Sequence, residues 1–512
     1  MTRTFTFLLF IALSQLVQAQ PGNLDPAFAN SGIRVLQPGP TVDNGWEVIP
    51  LEDTSLLVCG TTNRNNKPSS FITRLNEDGT TAMGFGITDG YTYFNAYNET
   101  YAYGMVLADD GSVYLAGLAY VTVSQSAALL VHVLPNGQPD PAFGTGGQVT
   151  YVLGTVETQI QDLAIQPDGK LVLAGRTGFG STSNSLLLRF HPDGTLDSTF
   201  SGDGVLPITL YSTADQLYDV AVLDDGSIVA AGVVTIGSTE RTLVVKCDAS
   251  GALDTSFGTA GTGAVVPALG FTVHLARGVE ADGQRFYITG EDRSNNNNYN
   301  AYVARMNDDG SIDTSFGTAG VFLLDQGTYD TGTDLAVQND GKVLFCGASG
   351  GLGFAGNKDH LVMRLTESGS ADATFGTNGV TLTAVGGNLE EARSVAIQPD
   401  GKVVSAGVVM ATNNDVSVLR YLNDITTDIA APSANMQLIM FPVPADRSVR
   451  IGSGATGQAE ITVLDLQGRM VISLVANGSM AHVGTEAMPN GTYVVRMIQG
   501  GTASSALLIV QH

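Results

Sequence analysis

Acids and bases recur along this chain at a fixed offset, a spacing that suits ion pairs or a repeated binding site. The clearest examples are Arg189 with Asp197, Lys246 with Asp254, and Arg305 with Asp313. A site that recurs in every repeat is more often architectural than catalytic. We therefore expect each base to donate hydrogen bonds to its carboxylate and to pin the connector that follows, although a functional role stays open.

Catalytic and metal-binding patterns are not evident. The six histidines occupy unrelated positions, as scattered surface histidines would, and no HExxH or GxSxG pattern occurs. The many Asp-Gly pairs lack the spacing of a calcium loop and are typical of hairpin turns. Of the three cysteines, Cys59 and Cys346 share one repeat position and Cys247 has no evident mate, so we expect small buried thiols without a disulfide framework. We predict no catalytic residue, no metal and no cofactor, and hence no enzyme.

Tyrosines are dense in one place only, the segment GYTYFNAYNETYAYG. A tyrosine ring combines an apolar face with a polar tip, which suits a glycan or a protein ligand. We predict ligand binding in the second repeat, through Tyr91, Tyr93, Tyr97 and Tyr101. The alternative is that these rings pack between sheets, because aromatic residues are favoured in strands.

A period of 57 to 59 residues organises the elements that position these groups. The segment LDTSFGTAG returns as IDTSFGTAG and in looser copies, which we call Phe motifs, and their phenylalanines are Phe28, Phe85, Phe143, Phe200, Phe257, Phe316 and Phe375. A strand ending in glycine keeps the same period, at Gly60, Gly117, Gly175, Gly232, Gly290, Gly347 and Gly407. Such a period indicates a repeat architecture.

One repeat predicts a four-stranded antiparallel sheet. In the third copy the runs GGQVTYVL, QIQDLAIQ, KLVLAG and SNSLLLRF read as strands, and PDGK and HPDG read as turns. Stacking such sheets around an axis buries their faces, so we predict an all-β, seven-bladed propeller over residues 24–423. A β-solenoid is the alternative, although its coils are usually shorter.

The predicted loops fall into two classes. The Asp-Gly hairpins and the Phe motifs lie on one face and hardly vary between repeats, whereas the loops of the other face diverge, as in TTNRNNKPSS and EDRSNNNNYN. Divergent loops are free to bind, so we place any ligand contact on this variable-loop face.

The two ends of the chain differ from the repeats. Residues 1–19 have the pattern of a secretory signal peptide, with cleavage expected between Ala19 and Gln20, and no later segment is apolar enough to span a membrane. Residues 424–436 read as a linker, and residues 437–512 as a small, Ig-like β-sandwich. Acidic residues outnumber Lys and Arg by 49 to 24, which argues against a nucleic-acid partner.

Both parts resemble known families. The repeated LDxxFGxxG pattern of the Phe motif, the QPDGK turn and the strand ending in AG resemble the delta-60 repeat of bacterial secreted proteins, which implies a propeller fold and no catalytic residues. The tail is similar to the type IX secretion system sorting domain of Bacteroidota in its segments 441–444, 463–469 and 488–496, although Val443 stands where that family commonly has Asn. This resemblance implies contact with the secretion machinery and export.

We therefore predict an exported binding module, at the cell surface or secreted, with a glycan or protein ligand. A propeller enzyme acting on polysaccharide, or a structural surface protein, is the alternative.

Overall fold

The computed structural model is all-β. It describes residues 20–154, 157–209, 214–258, 261–353, 356–410, 413–424, 439–441, 443–452, 458–464, 470–477, 480–486, 488–499 and 502–512. The helical content of these ranges is one short 3-10 turn, Gly180–Thr182, and they contain no helix long and apolar enough to cross a membrane. The predicted signal peptide lies outside the described residues, as does the linker apart from Asp424.

The chain divides into two compact units, Met1–Asp424 and Ile425–His512. Strands of the first unit are β1 (Ile33–Leu36), β2 (Asp43–Pro50), β3 (Leu56–Arg64), β4 (Lys67–Leu75), β5 (Tyr91–Phe94), β6 (Glu99–Leu107), β7 (Val113–Thr122), β8 (Gln125–Val133), β9 (Gln148–Tyr151), β10 (Thr158–Ile165), β11 (Leu171–Thr177), β12 (Asn184–Phe190), β13 (Val205–Ile208), β14 (Asp215–Val222), β15 (Ile228–Ile236), β16 (Thr239–Cys247), β17 (Ala264–Val265), β18 (His274–Asp282), β19 (Arg285–Asn295), β20 (Asn298–Met306), β21 (Val321–Leu324), β22 (Tyr329–Val337), β23 (Val343–Gly350), β24 (Lys358–Leu365), β25 (Val380–Thr383), β26 (Leu389–Ile397), β27 (Val403–Met410) and β28 (Asn414–Tyr421).

These strands pair as four-stranded antiparallel sheets, the blades of a propeller. In chain order the blades are β2–β5, β6–β9, β10–β13, β14–β17, β18–β21 and β22–β25, and we number them 1 to 6. Blade 7 combines β26, β27 and β28 with β1 from the other end of the unit. The prediction of an all-β propeller built from four-stranded sheets is confirmed.

The sequence repeat and the blade are out of phase by one strand, which corrects the predicted unit. The run GGQVTYVL was expected to open the third sheet, but its strand β9 pairs with β8 and ends blade 2. The same offset leaves β1 without a sheet of its own, so it completes blade 7 by pairing Ile33 with Leu419. The two ends of the propeller are thereby joined through backbone hydrogen bonds.

The packing of the Phe motifs explains why they recur. Phe200, Phe257 and Phe316 are fully buried between blades. The glycine of the HPDG turn has a positive φ of 83°, and a Cβ at Gly194 would lie 2.7 Å from the ring of Phe143. A side chain would therefore collide there.

The predicted acid–base pairs are in contact. Nε of Arg189 donates to Oδ2 of Asp197 at 2.8 Å, and Arg305 donates to Asp313 at the same distance. Nζ of Lys246 lies 3.4 Å from Oδ2 of Asp254.

The less regular repeats keep part of this arrangement. His132 holds Asp140 at 2.9 Å, and Arg74, whose following Phe motif has Ala82 in place of the acid, pairs with Asp53 instead. Apart from Arg74, each of these bases on a third strand thus holds the connector that leads to the fourth strand of its own blade.

The second unit contains β29 (Ile439–Phe441), β30 (Ser448–Gly452), β31 (Gln458–Leu464), β32 (Met470–Asn477), β33 (Met480–Gly484), β34 (Gly491–Gln499) and β35 (Thr502–Val510). They form a sheet in the order β29-β30-β33 and another in the order β32-β31-β34-β35. Val449, Ile461, Val495 and Leu508 are buried in one core with their neighbours. The Ig-like character of this unit stays a prediction.

Candidate functional site: an axial pocket

Every innermost strand carries a β-bulge at the same position. The register shifts between Gly45 and Glu47 in β2, and the equivalent shift recurs in β6, β10, β14, β18, β22 and β26. A bulge inserts an extra residue and re-aims its side chain. The residues at the shifts are Trp46, Tyr103, Gln161, Tyr218, Arg277, Thr333 and Arg393.

These seven side chains, here called the bulge ring, line a single cavity of about 450 Å³. Tyr329 and Glu391, which precede the bulges in their strands, line it as well. Because inner strands begin on the variable-loop face and end at the Asp-Gly turns, the cavity extends toward the variable-loop face. A volume of this size suits a small polar molecule or the end of a polymer.

A belt of carboxylates forms the floor below the bulge ring. Oδ2 of Asp219 accepts the backbone N–H of Val279 in the next blade at 2.6 Å, and Oδ2 of Asp334 accepts that of Val395 at 2.8 Å. Asp162 reaches Val220 in the same way, at 3.3 Å. The belt therefore ties adjacent blades together at the axis.

Between blades 7 and 1 the belt position holds a serine in place of an aspartate. The hydroxyl of Ser394 accepts the N–H of Val48 at 3.3 Å and donates to Glu47 at 2.9 Å. Blade 2 has Gly104 at the belt position, where a Cβ would lie 2.4 Å from Oδ1 of Asp162. Glycine is required there by this close approach.

Burial and mutual repulsion perturb these acids. Burial raises the pKa of Asp162 to about 7. Glu280 lies in β18 outside the cavity lining, and burial together with the charges of Asp334 and Asp219 raises its pKa to about 8. Burial and then the charge of Asp162 raise the pKa of Asp219, and burial and the charge of Asp334 raise that of Glu47. Removing charges from water and placing like charges together both favour the neutral form.

At two points of the cavity wall an arginine lies over an aromatic ring. The guanidinium of Arg393 lies 3.9 Å from the ring centre of Trp46, and that of Arg277 lies 5.5 Å from the ring of Tyr218. Nε of Arg277 also donates to Glu291 at 2.6 Å. Cation–π contacts of this kind hold flat side chains in fixed orientations.

The aromatic wall continues along blade 2. The ring centres of Trp46 and Tyr103 are 4.9 Å apart, those of Tyr103 and Tyr101 are 6.1 Å apart, and those of Tyr101 and Tyr120 are 6.5 Å apart. We call these four residues the aromatic row. All four residues are partly exposed.

The predicted tyrosine site is divided by the structure. Tyr91 and Tyr93 lie on β5, the outermost strand of blade 1 rather than in blade 2, and Tyr93 donates to the carbonyl of Pro38 at 3.0 Å. Tyr97 precedes β6 and packs partly against the core between blades 1 and 2. Tyr101 belongs to the axial wall. The four were expected in one patch, but the phase shift between repeat and blade separates them.

The remaining candidate groups lie in packed positions. The histidines are not uniformly superficial as expected, because His274 and His360 are buried on inter-blade contacts. Cys59, Cys247 and Cys346 are free and buried, as predicted. Within the described ranges, no group of three or more His, Cys, Asp or Glu could hold a metal ion.

The bulge ring was missed because it leaves no motif in a single repeat. Its signal is visible only when the seven inner strands are aligned on their register shifts. One position then varies among Trp, Tyr, Gln, Arg and Thr, while the position two residues later is always apolar: Val48, Met105, Leu163, Val220, Val279, Leu335 and Val395.

Family models match segments of the propeller and of the C-terminal unit. Residues 166–200, 223–257, 281–316 and 338–375 match the family model "Domain of unknown function (DUF5122) beta-propeller", and residues 439–511 match "Secretion system C-terminal sorting domain". No curated protein matches the chain.

Similar solved structures share about a tenth of their residues with this chain. A catalytically inactive virginiamycin B lyase from Staphylococcus aureus is 10% identical with a TM-score of 0.43, covering 76% of this chain and 98% of that one. The polysaccharide lyase Uly1 is 11% identical with a TM-score of 0.40, over 80% and 94%. Sqt1 of Chaetomium thermophilum is 10% identical with a TM-score of 0.40, over 77% and 98%.

The sorting domain indicates export to the cell surface or secretion, and it implies contact with the secretion machinery. The chain thus carries DUF5122 β-propeller repeats followed by a secretion system C-terminal sorting domain.

Proposed function

We propose that this exported protein is a non-catalytic binding module whose ligand enters the axial pocket from the variable-loop face. The type IX sorting tail delivers the propeller, and the propeller holds the ligand outside the cell. The cavity's lining supports this proposal, because aromatic rings beside fixed polar groups are typical of small-molecule and glycan sites.

The observation that carries the proposal is the diversity of the bulge ring. The residue directly before the bulge is small or apolar in every blade, and the residue two positions after it is always apolar, since these positions pack in the cores. The bulge position, by contrast, presents two arginines, two tyrosines, a tryptophan, a glutamine and a threonine to one cavity. Structural repetition predicts similar residues there, whereas recognition of an asymmetric ligand requires different ones.

A propeller enzyme is the second candidate, and the carboxylate belt is the observation that favours it. A carboxyl group with a pKa near neutrality, such as Asp162, has the proton affinity of a general acid. The same carboxylates, however, accept backbone N–H groups from the next blade, which gives them a structural role. We therefore rank binding above catalysis.

The test is a glycan and peptide array probed with the labelled mature protein, with and without calcium. The variant Gln161→Trp fills the cavity from a position that makes no side-chain hydrogen bond within the described part of the chain, and Leu382→Trp adds the same ring on the exposed side of β25 as the control. We expect the wild-type protein to bind at least one array ligand, Gln161→Trp to lose this binding and Leu382→Trp to keep it. Equal binding by both variants, or an array without hits, would refute the proposal.

Catalysis is tested on the same material. Each array hit is incubated with the protein, and new reducing ends or unsaturated sugars are measured. We expect none, and turnover that disappears in Asp162→Asn would establish the enzyme instead.

A further inference from the structure

We propose that the ligand of the axial pocket is a glycan chain, with its end in the cavity and its following sugars along the aromatic row. This inference rests on the proposed function and names the chemical class of the ligand. Its basis is the continuity between the bulge ring and the aromatic row, which share Trp46 and Tyr103.

The aromatic row leads outward from the cavity. Trp46 and Tyr103 are bulge residues, and Tyr101 lies two residues nearer the start of β6. Tyr120 follows on the adjacent strand β7, directly opposite Glu99. The row therefore runs from the cavity toward the variable-loop face, with ring centres 4.9 to 6.5 Å apart.

Polar groups accompany the rings. The hydroxyl of Tyr101 donates to Oε2 of Glu99 at 2.9 Å, which fixes both side chains. In the neighbouring blade 3, Arg176 donates to Gln159 at 2.8 Å, and Gln161 lines the cavity. A sugar presents C–H groups on its face and hydroxyls at its edge, so rings flanked by planar polar side chains match both surfaces.

Other polymers fit this surface less well. An extended peptide that adds to a sheet needs a regular strand edge, and the bulges at Trp46 and Tyr103 interrupt the inner edges of blades 1 and 2. A single-stranded nucleic acid also stacks on aromatic rings, but it needs a basic groove. The formal net charge of this chain is −25.

The experiment is affinity electrophoresis of the mature full chain in gels that contain soluble polysaccharides. The probes are neutral xylan, galactomannan and mixed-linkage β-glucan, and acidic alginate and polygalacturonate. We expect retardation by at least one of them. Oligosaccharides of increasing length from that polymer are then titrated by calorimetry, and affinity should rise with each added sugar until the aromatic row is filled.

The variants distinguish binding along the aromatic row from binding inside the cavity. Tyr101→Ala with Tyr120→Ala should lower the affinity for long oligosaccharides about tenfold or more, a typical loss for aromatic anchors, while the affinity for the disaccharide stays the same. Tyr93→Ala, on the outer strand β5, is the matched control and should bind as the wild type does. If the double variant is unstable, Tyr120→Ala alone gives the same test, because Tyr120 is the member of the aromatic row farthest from the cavity.

Two results would overturn the inference. One is the absence of retardation by every polysaccharide, and the other is an unchanged affinity for long oligosaccharides in a folded double variant. If array ligands of another class still depend on Gln161, the glycan inference fails and the proposed function stands.

Discussion

Removing the carboxylate of Asp197 should destabilise the propeller more than removing its counterpart Asp140. Asp197 is fully buried, and its Oδ1 accepts the N–H and the hydroxyl of Thr199 at 3.0 and 2.6 Å. Its Oδ2 accepts Nε of Arg189 at 2.8 Å. Although burial alone would raise the pKa of Asp197, these hydrogen bonds and the arginine charge lower it.

The magnitude follows from what Asp197→Ala leaves behind. Arg189 is only 3% exposed, so its guanidinium would stay buried without its carboxylate, which typically costs about 3–5 kcal/mol. The lost capping of the turn in the Phe motif is part of this effect, and such a cap is usually worth about 1 kcal/mol. Asp140→Ala breaks the contact with His132 and also removes the cap on the N–H of Ala142, but it leaves no buried guanidinium unpaired. The Asp140 side chain is 21% exposed, so we expect roughly 1–2 kcal/mol.

The assay is urea unfolding followed by tryptophan fluorescence. Trp46 is the single tryptophan and lies in the propeller, so the sorting tail does not contribute to the signal. We expect the unfolding midpoint of Asp197→Ala to fall well below that of Asp140→Ala, with Asp197→Asn between them because asparagine keeps the cap. Equal midpoints for the two alanine variants would refute the argument that burial decides the strength of the pair.

Four further expectations follow. The pKa of Asp162 is raised to about 7 in the native state from about 4 in the unfolded state, so the native state binds this proton more tightly. The free energy of unfolding should therefore decrease as the pH rises from about 4 to about 7. Asp162→Asn should flatten this pH dependence in urea titrations, and an unchanged pH dependence would contradict the expectation. Arg420→Met removes the 2.9 Å bond to Asp25 that supports ring closure, so limited proteolysis should cut first near residue 36, and first cuts elsewhere would count against this. Burial raises the pKa of Cys247 to about 12, so thiol reagents should label the protein only in denaturant, and rapid labelling of native protein would disprove the packing. In the native host, mass spectrometry should find mature protein that starts near Gln20 and ends in or near residues 424–436, and an intact His512 on exported protein would be inconsistent with this. Deletion of residues 437–512 should leave a folded propeller in the periplasm.

Local sequence chemistry determined the repeated framework of this protein. An Asp-Gly turn, the buried phenylalanine of a Phe motif and an alternating strand are each specified within a few residues, because turn conformation and strand alternation are local properties. The same locality made the acid–base pairs predictable, since Arg189 and Asp197 lie on either side of a single turn. Recurrence of these local signals was enough to predict four-stranded sheets and a propeller.

The phase of the blades was decided by tertiary structure. A strand such as β9 has the same alternation whether it begins one sheet or ends the previous one. Only the pairing of Gln148 with Val131 assigns it to blade 2, and only the pairing of β1 with β28 closes the ring. Sequence reasoning therefore kept Tyr91 and Tyr101 together, although the blade boundary places them at opposite edges of neighbouring sheets.

The candidate site was likewise decided by tertiary structure. The bulge ring collects one residue from each of seven strands that are far apart in sequence, and no pair of those residues is close along the chain. A bulge arises from the pairing of two strands, so a single strand does not reveal which residue it re-aims. The sequence by itself determined what each blade is made of, whereas the convergence of the inner strands on one axis determined which side chains share the pocket.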